Sequence, residues 1–180
     1  MYDIYEECPV FKNELITLRK TSKEDTKELL KCYSDPKSVP IFNSDNCHGD
    51  DFYYTTIERM DKAIDFWNMS YNARYFVRMT IIYNDSNEKI GTIEMFNRGR
   101  IENLGFHGIL RIDLQSQYEK KDIILSILHL ANQHFYETFS VDCIITKAIP
   151  SANERIDALM SERYHKIDGF PIEHYYVGHK

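Results

Sequence analysis

Residues 75–149 constrain the fold most. Residues 75–83, 89–96 and 104–114 are each rich in β-branched and aromatic side chains, which suit a pleated, half-buried surface. Asn84-Asp85-Ser86-Asn87 between the first two is turn chemistry, so they read as a hairpin. In the third run Phe106, Leu110, Ile112 and Leu114 alternate onto one side. An apolar stripe follows, Ile124, Ile127, Leu128, Ala131 and Phe135, widened by Ile123 and Leu130, with Asp122 placed to cap it. A helix this apolar lies against a sheet. Residues 142–149 form a near-continuous apolar run, as expected of a strand covered on both faces.

The flanking segments fit the same layering. Residues 14–19 read as a short strand, and Thr21-Ser22-Lys23-Glu24 as a capping box that opens a helix. Leu29, Leu30 and Tyr33 give that helix a buried face, and Asp35-Pro36 ends it. Residues 39–51 are polar and irregular, a loop. Ile57, Met60, Ile64 and Trp67 then recur at helical spacing. Near the other end Ser151-Ala152-Asn153-Glu154 is a second capping box, opening a helix through Ile156, Leu159 and Met160. Two short strands are expected near 163–168 and 173–178. Mixed strands and helices without a linker predict one α/β domain over residues 1–180, built on a single mixed sheet.

Charge and cysteine usage narrow the function classes. With 22 basic and 28 acidic residues the net charge is -6, which repels phosphate backbones. Nucleic acid is therefore not an expected partner, and a cationic amine is a more natural guest. Cys8, Cys32, Cys47 and Cys143 are scattered, which reads as free thiols in a reducing compartment. The N-terminal residues are acidic and show no basic-then-apolar leader, and residues 123–131, broken by Ser126 and His129, are too short to span a bilayer. A cytoplasmic location without membrane contact is expected. Cys47-His48 with Asp50 and Asp51 lacks a second Cys or His at ligand spacing, so no metal site is expected. No nucleophile-elbow sequence is present.

Four stretches carry a resemblance: LITLRKTSKED (15–25), YSDPKSV (33–39), KIGTIEMFNR (89–98) and SANERIDALMSERYHKI (151–167). In order and spacing they resemble the Rim-type branch of the GNAT superfamily, which includes ribosomal-protein alanine acetyltransferases. The resemblance implies the GNAT fold, an α/β structure with a central, mixed, mostly antiparallel sheet flanked by helices. It also implies direct transfer of the acetyl group of acetyl-CoA to an amine, either a protein N-terminus or a small amine, without a metal. The acceptor would be an amine-bearing small molecule or peptide, and a homodimer is left open.

The resemblance also assigns residues. The family places a Gln/Arg-x-x-Gly-x-Gly/Ala run between the long central strand and the next helix, where backbone amides wrap the CoA pyrophosphate. The corresponding run here is Gln117-Tyr118-Glu119-Lys120-Lys121-Asp122-Ile123, and no glycine occurs between Gly108 and Gly169. Glu119 and Asp122 bring negative charge to the phosphate position, which Lys120 and Lys121 can offset through their side chains. The phosphates are then expected on Lys120, Lys121 and the amides from Tyr118 to Ile123. The pantetheine arm is expected along Ile112, Asp113 and Leu114 and on Asn153. The bland alternatives are a solvated charged turn and a helix-capping asparagine.

For catalysis the family's strand glutamate position holds Ile109. His107, two residues earlier on the same face, is a base candidate at neutral pH, or a packed strand histidine. Glu94 is a second base candidate, or an exposed carboxylate. The family's acid tyrosine position falls on Met160, and Tyr164 can take that role only if the helix ends early. With the glycine loop, the glutamate and the tyrosine all missing, a GNAT-fold binding module without catalysis is the alternative to an acetyltransferase.

Overall fold

The computed structural model describes residues 3–180; Met1 and Tyr2, at the start of the stretch read for a leader, lie outside the described residues. The helices are α1 (Thr26–Tyr33), α2 (Ile57–Asn72), α3 (Lys121–Thr138) and α4 (Asn153–Ser161). The strands are β1 (Phe11–Lys12), β2 (Ile16–Lys20), β3 (Val77–Tyr83), β4 (Glu88–Ile101), β5 (Gly105–Leu114), β6 (Cys143–Lys147), β7 (His165–Lys166) and β8 (Tyr175–His179). They form one eight-stranded sheet in the order β1-β2-β3-β4-β5-β6-β8-β7. Every pairing is antiparallel except β5 with β6. This is the single mixed sheet that the residue pattern predicts, with the mostly antiparallel pairing and flanking helices that the resemblance implies.

Alternation along the central strands splits their side chains between two layers. Ile93 and Met95 of β4 and Leu110, Ile112 and Leu114 of β5 pack with Ile124, Ile127, Leu128 and Ala131 of α3. Each of the larger of these side chains, fully buried, contributes about 1.5–3 kcal/mol. The intervening positions face the other layer, where Leu29 and Tyr33 of α1 and Met60, Ile64 and Trp67 of α2 form a second core with Phe42, Phe52 and Tyr54. The segment between α1 and α2 is thus pinned by its aromatic residues although it has little regular structure.

Four local features differ from the sequence expectation. Asp25, one residue beyond Glu24, accepts the Ser22 amide at 3.0 Å, and it also receives Arg19 and the Thr80 hydroxyl. Tertiary partners therefore choose which carboxylate closes that box. Lys120 is the N-cap of α3, so Asp122 is not the cap but an exposed residue of the first turn. Ala152 is the N-cap of α4, and no side-chain bond from Ser151 or Asn153 closes it. The short edge strand β1 carries too few residues to announce itself in the sequence.

Two irregularities shape the middle of the sheet. Gly91 lies opposite Leu114, and a Cβ there would sit 1.8 Å from the Asp113 carbonyl oxygen. Gly91→Ala must force β4 away from β5 and is expected to cost about 1–3 kcal/mol, read as a lowered urea midpoint. Farther along β4, Asn97 pairs with Gly108 but Gly99 pairs with His107, so Arg98 is the extra residue of a β-bulge. Gly99, at φ 102°, supplies the backbone conformation that a side chain would resist.

The parallel ladder is short. It pairs His107–Leu110 with Cys143–Thr146 and stops, leaving residues 111–114 of β5 without a strand partner on that side.

Candidate ligand cleft and donor site

The face of the sheet toward α2 holds a cleft of about 710 Å³, lined by α2, by parts of β3, β4 and β5, and by the irregular segment before α2. Phe52, Phe66, Trp67, Phe76 and Phe96 supply much of its wall, and Arg59, Arg74, Arg78, Arg98 and Arg111 its charge. The carboxylates among its lining are Asp50 and Glu94. The acidic surplus of the whole chain does not extend into this cleft.

Its floor is built by strand register. Arg78 of β3 stands opposite Glu94 of β4, which stands opposite Arg111 of β5. Arg78 Nε and Nη2 donate to Glu94 Oε2 at 3.0 and 2.5 Å, and Arg111 Nη1 donates to Glu94 Oε1. Arg78 Nη1 reaches Asp113 Oδ2 and the Tyr33 and Thr92 hydroxyls, each at 3.0 Å. The Tyr33 hydroxyl donates to Asp113 Oδ2 at 2.7 Å. The Arg78 guanidinium also lies 4.3 Å from the centre of the Trp67 ring, a cation–π contact. Burial raises the Glu94 carboxyl pKa, but the fields of Arg78 and then Arg111 outweigh it and hold the group below its ordinary value. Glu94 stays ionised, with both oxygens engaged. The expected alternative of an exposed Glu94 is corrected here, because the residue is 1% exposed.

The other two catalytic candidates lie elsewhere. His107 is buried, with Nδ1 2.8 Å from the Gly99 carbonyl oxygen, and it does not line the cleft. Burial lowers its pKa, so the ring is neutral at pH 7. Tyr164 is buried in the layer of α3, donating to Asn132 Oδ1 at 2.8 Å. Burial pushes its hydroxyl well above the ordinary tyrosine range. Glu94, His107 and Tyr164 are not brought together.

The residues assigned to CoA are described by what already holds them. Arg155 of α4 reaches the unpaired stretch of β5, where Nη1 donates to the Ile112 carbonyl oxygen at 2.8 Å. Its Nε and Nη2 donate to the two carboxylate oxygens of Glu119 at 2.7 and 2.8 Å. Both side chains are buried, 4% and 9% exposed. The first amide of α3, that of Lys121, donates to Glu154 Oε2 at 2.7 Å. Lys120, Lys121 and Asp122 are exposed, while Ile123 and Leu114 belong to the core under α3. Asp113 is turned into the Arg78 network on the opposite face. The Tyr118 hydroxyl donates to Glu88 Oε2 at 2.5 Å. Asn153 is exposed. Asp35, read only as a helix end, accepts the Ser116 amide at 2.9 Å and so ties the end of α1 to the turn after β5.

No family model and no curated protein matches the sequence. Among solved structures, a GNAT-family acetyltransferase from Bacillus anthracis superposes with a TM-score of 0.69 at 14% identity, covering 95% of this chain and 98% of that one. The ribosomal-protein-S5-alanine acetyltransferase from Vibrio fischeri superposes with 0.70 at 14% identity, covering 95% and 96%. Mycobacterium smegmatis RimJ in complex with CoA-disulfide gives 0.71 at 10% identity, covering 91% and 81%. The fold is that of the GNAT acetyltransferases. On the GNAT frame, the side of β5 expected to pair with pantetheine is the side that Arg155 occupies. The helix N-terminus expected to receive the pyrophosphate carries Glu154 on its first amide and Glu119 just before it. A carboxylate at a helix N-terminus satisfies the same dipole and amides that would otherwise attract phosphate, and Glu154 takes that place here, while the charge of Glu119 is matched by Arg155. Arg155 and Glu154 thus already hold backbone groups that the resemblance assigns to CoA.

Proposed function

We propose that this chain is a single-domain, GNAT-fold binding protein whose acetyl-donor site is filled by its own side chains and whose ligand site is the aromatic and arginine-lined cleft. The observation that carries this reading is the buried Arg155–Glu119 pair with Arg155 on the Ile112 carbonyl. A bound pantetheine arm would have to expel that guanidinium and leave Glu119 without its cation, at the cost of breaking a buried ion pair. Separation of the catalytic candidates supports the same conclusion.

A second reading is N-acetyl transfer from acetyl-CoA to a protein N-terminus or small amine. It is favoured by the likeness to RimJ solved with CoA-disulfide, and it requires Arg155 to swing out of the donor site. A thiol-release assay with acetyl-CoA, on a panel of peptide N-termini, polyamines and amino sugars, separates the two. The expected outcome is release no faster than without acceptor, unchanged by His107→Ala. Acceptor-dependent release that rises with pH as the amine deprotonates supports the second reading.

A further inference from the structure

We infer that the cleft binds a planar aromatic anion of small-molecule size, a bicyclic aromatic carboxylate being the simplest form; this rests on the reading of the cleft as the ligand site. Three observations carry it.

The first is the state of the cleft's carboxylates. Glu94 Oε1 receives Arg111, and Oε2 receives Arg78 at 3.0 and 2.5 Å. Asp50 Oδ1 receives the Phe52 amide at 2.8 Å, and Oδ2 receives the Tyr54 hydroxyl at 2.9 Å and Arg59 at 2.7 Å. An ammonium ion entering the cleft therefore meets carboxylates whose charge is already matched by guanidinium groups.

The second is the state of its donors. Arg111 Nε is the one buried side-chain nitrogen or oxygen without a hydrogen-bond partner among the described residues. A buried donor left unpaired costs free energy that an acceptor atom on a ligand can recover. Arg98, also lining the cleft, is exposed and stands at the bulge of β4, where an extra residue re-aims a side chain. Its guanidinium makes no ion pair within hydrogen-bonding range among the described residues, unlike Arg59, Arg74, Arg78 and Arg111. Among the described residues the cleft therefore offers one guanidinium without a counter-charge, Arg98, and one unpaired buried donor, Arg111 Nε.

The third is shape and surface. A volume of about 710 Å³ lies in the range that holds a small organic ligand. Phe66, 54% exposed, and Tyr75, 71% exposed, leave aromatic surface at the mouth that water covers poorly. Trp67 is buried under Arg78, so the aromatic faces left to a ligand are those of Phe66, Tyr75 and the half-buried Phe96, the last with the Arg111 guanidinium beside its ring. Flat faces select a planar ring, and the cations select its charge.

Three probes separate ring from charge: 2-naphthoate, its saturated analogue decalin-2-carboxylate, and the cation 2-naphthylmethylamine, each titrated calorimetrically into the full chain. The expected order is naphthoate tightest, the saturated acid weaker, and the amine without measurable binding. Arg98→Gln, at an exposed position, should leave the fold intact and weaken naphthoate by about tenfold or more, the loss of one charge-assisted contact. Binding of the amine but not the acid overturns the ligand class while leaving the cleft as the binding site. No binding of either naphthyl compound overturns the proposal, and the state of the donor site is then judged by the acetyl-CoA measurements alone. Naphthoate binding unchanged in Arg98→Gln overturns the role given to the bulge.

Discussion

Glu94→Ala is expected to destabilise the folded chain by about 3–5 kcal/mol, seen as a lowered midpoint in urea unfolding. Glu94 sits between Arg78 and Arg111, and Arg78 is itself 3% exposed. Removing the carboxylate leaves two neighbouring guanidinium groups in a low-dielectric layer with Asp113 as their remaining close counter-charge. That loss exceeds what the small cavity alone would cost. Acid should mimic the mutation. Because the folded Glu94 pKa lies below its unfolded value near 4.3, the stabilisation is present above the unfolded pKa. It is lost as pH falls through the folded pKa. Wild-type stability should therefore decline on acidification below the usual carboxylate range, and Glu94→Ala should decline less over the same interval. Parallel declines in the two proteins would show that Glu94 titrates without strain.

Arg155→Ala is expected to be comparably severe, again about 3–5 kcal/mol, because it strands Glu119 in a buried site and deprives the Ile112 carbonyl of its donor. The informative companion is the double replacement Arg155→Met with Glu119→Leu, which removes both charges and keeps volume. Apolar replacement of a whole buried pair is often neutral or stabilising, so the double variant should recover most of what Arg155→Ala loses. Chemical denaturation of the single and double variants checks this. If Arg155→Ala alone is harmless, the pair is loosely held and the donor site opens easily.

The strands, the apolar α3 and the overall layering are legible because burial imposes periods of 2 and 3.6 on the sequence, and the strand runs within 75–114 and the helix at 122–135 follow those periods apart from the irregularities at Ile81-Ile82 and Arg98. The site was legible only in part. The absence of glycine after β5 is plain in the sequence, but the side chains that gather at that turn are not, because Arg155 and Glu154 come from a helix more than thirty residues along the chain. The sequence does carry a signal for the cleft. Arg78, Glu94, Arg111 and Asp113 are charged residues inside otherwise apolar strands, each at a position whose neighbours face α3. Charged groups on the covered face of a strand must find one another, and their register does the rest. Asp122 has the propensity of a cap, but the cap position is Lys120 and a carboxylate from another helix takes the first amide.

The proposal that Arg155 and Glu154 fill the donor site is tested most directly by calorimetric titration of acetyl-CoA into the wild-type chain. The expected result is no saturable heat, with any dissociation constant weaker than ~1 mM, which corresponds to about -4 kcal/mol. Saturable one-to-one binding with a micromolar dissociation constant would contradict it, and would mean that Arg155 and Glu154 yield their places to CoA.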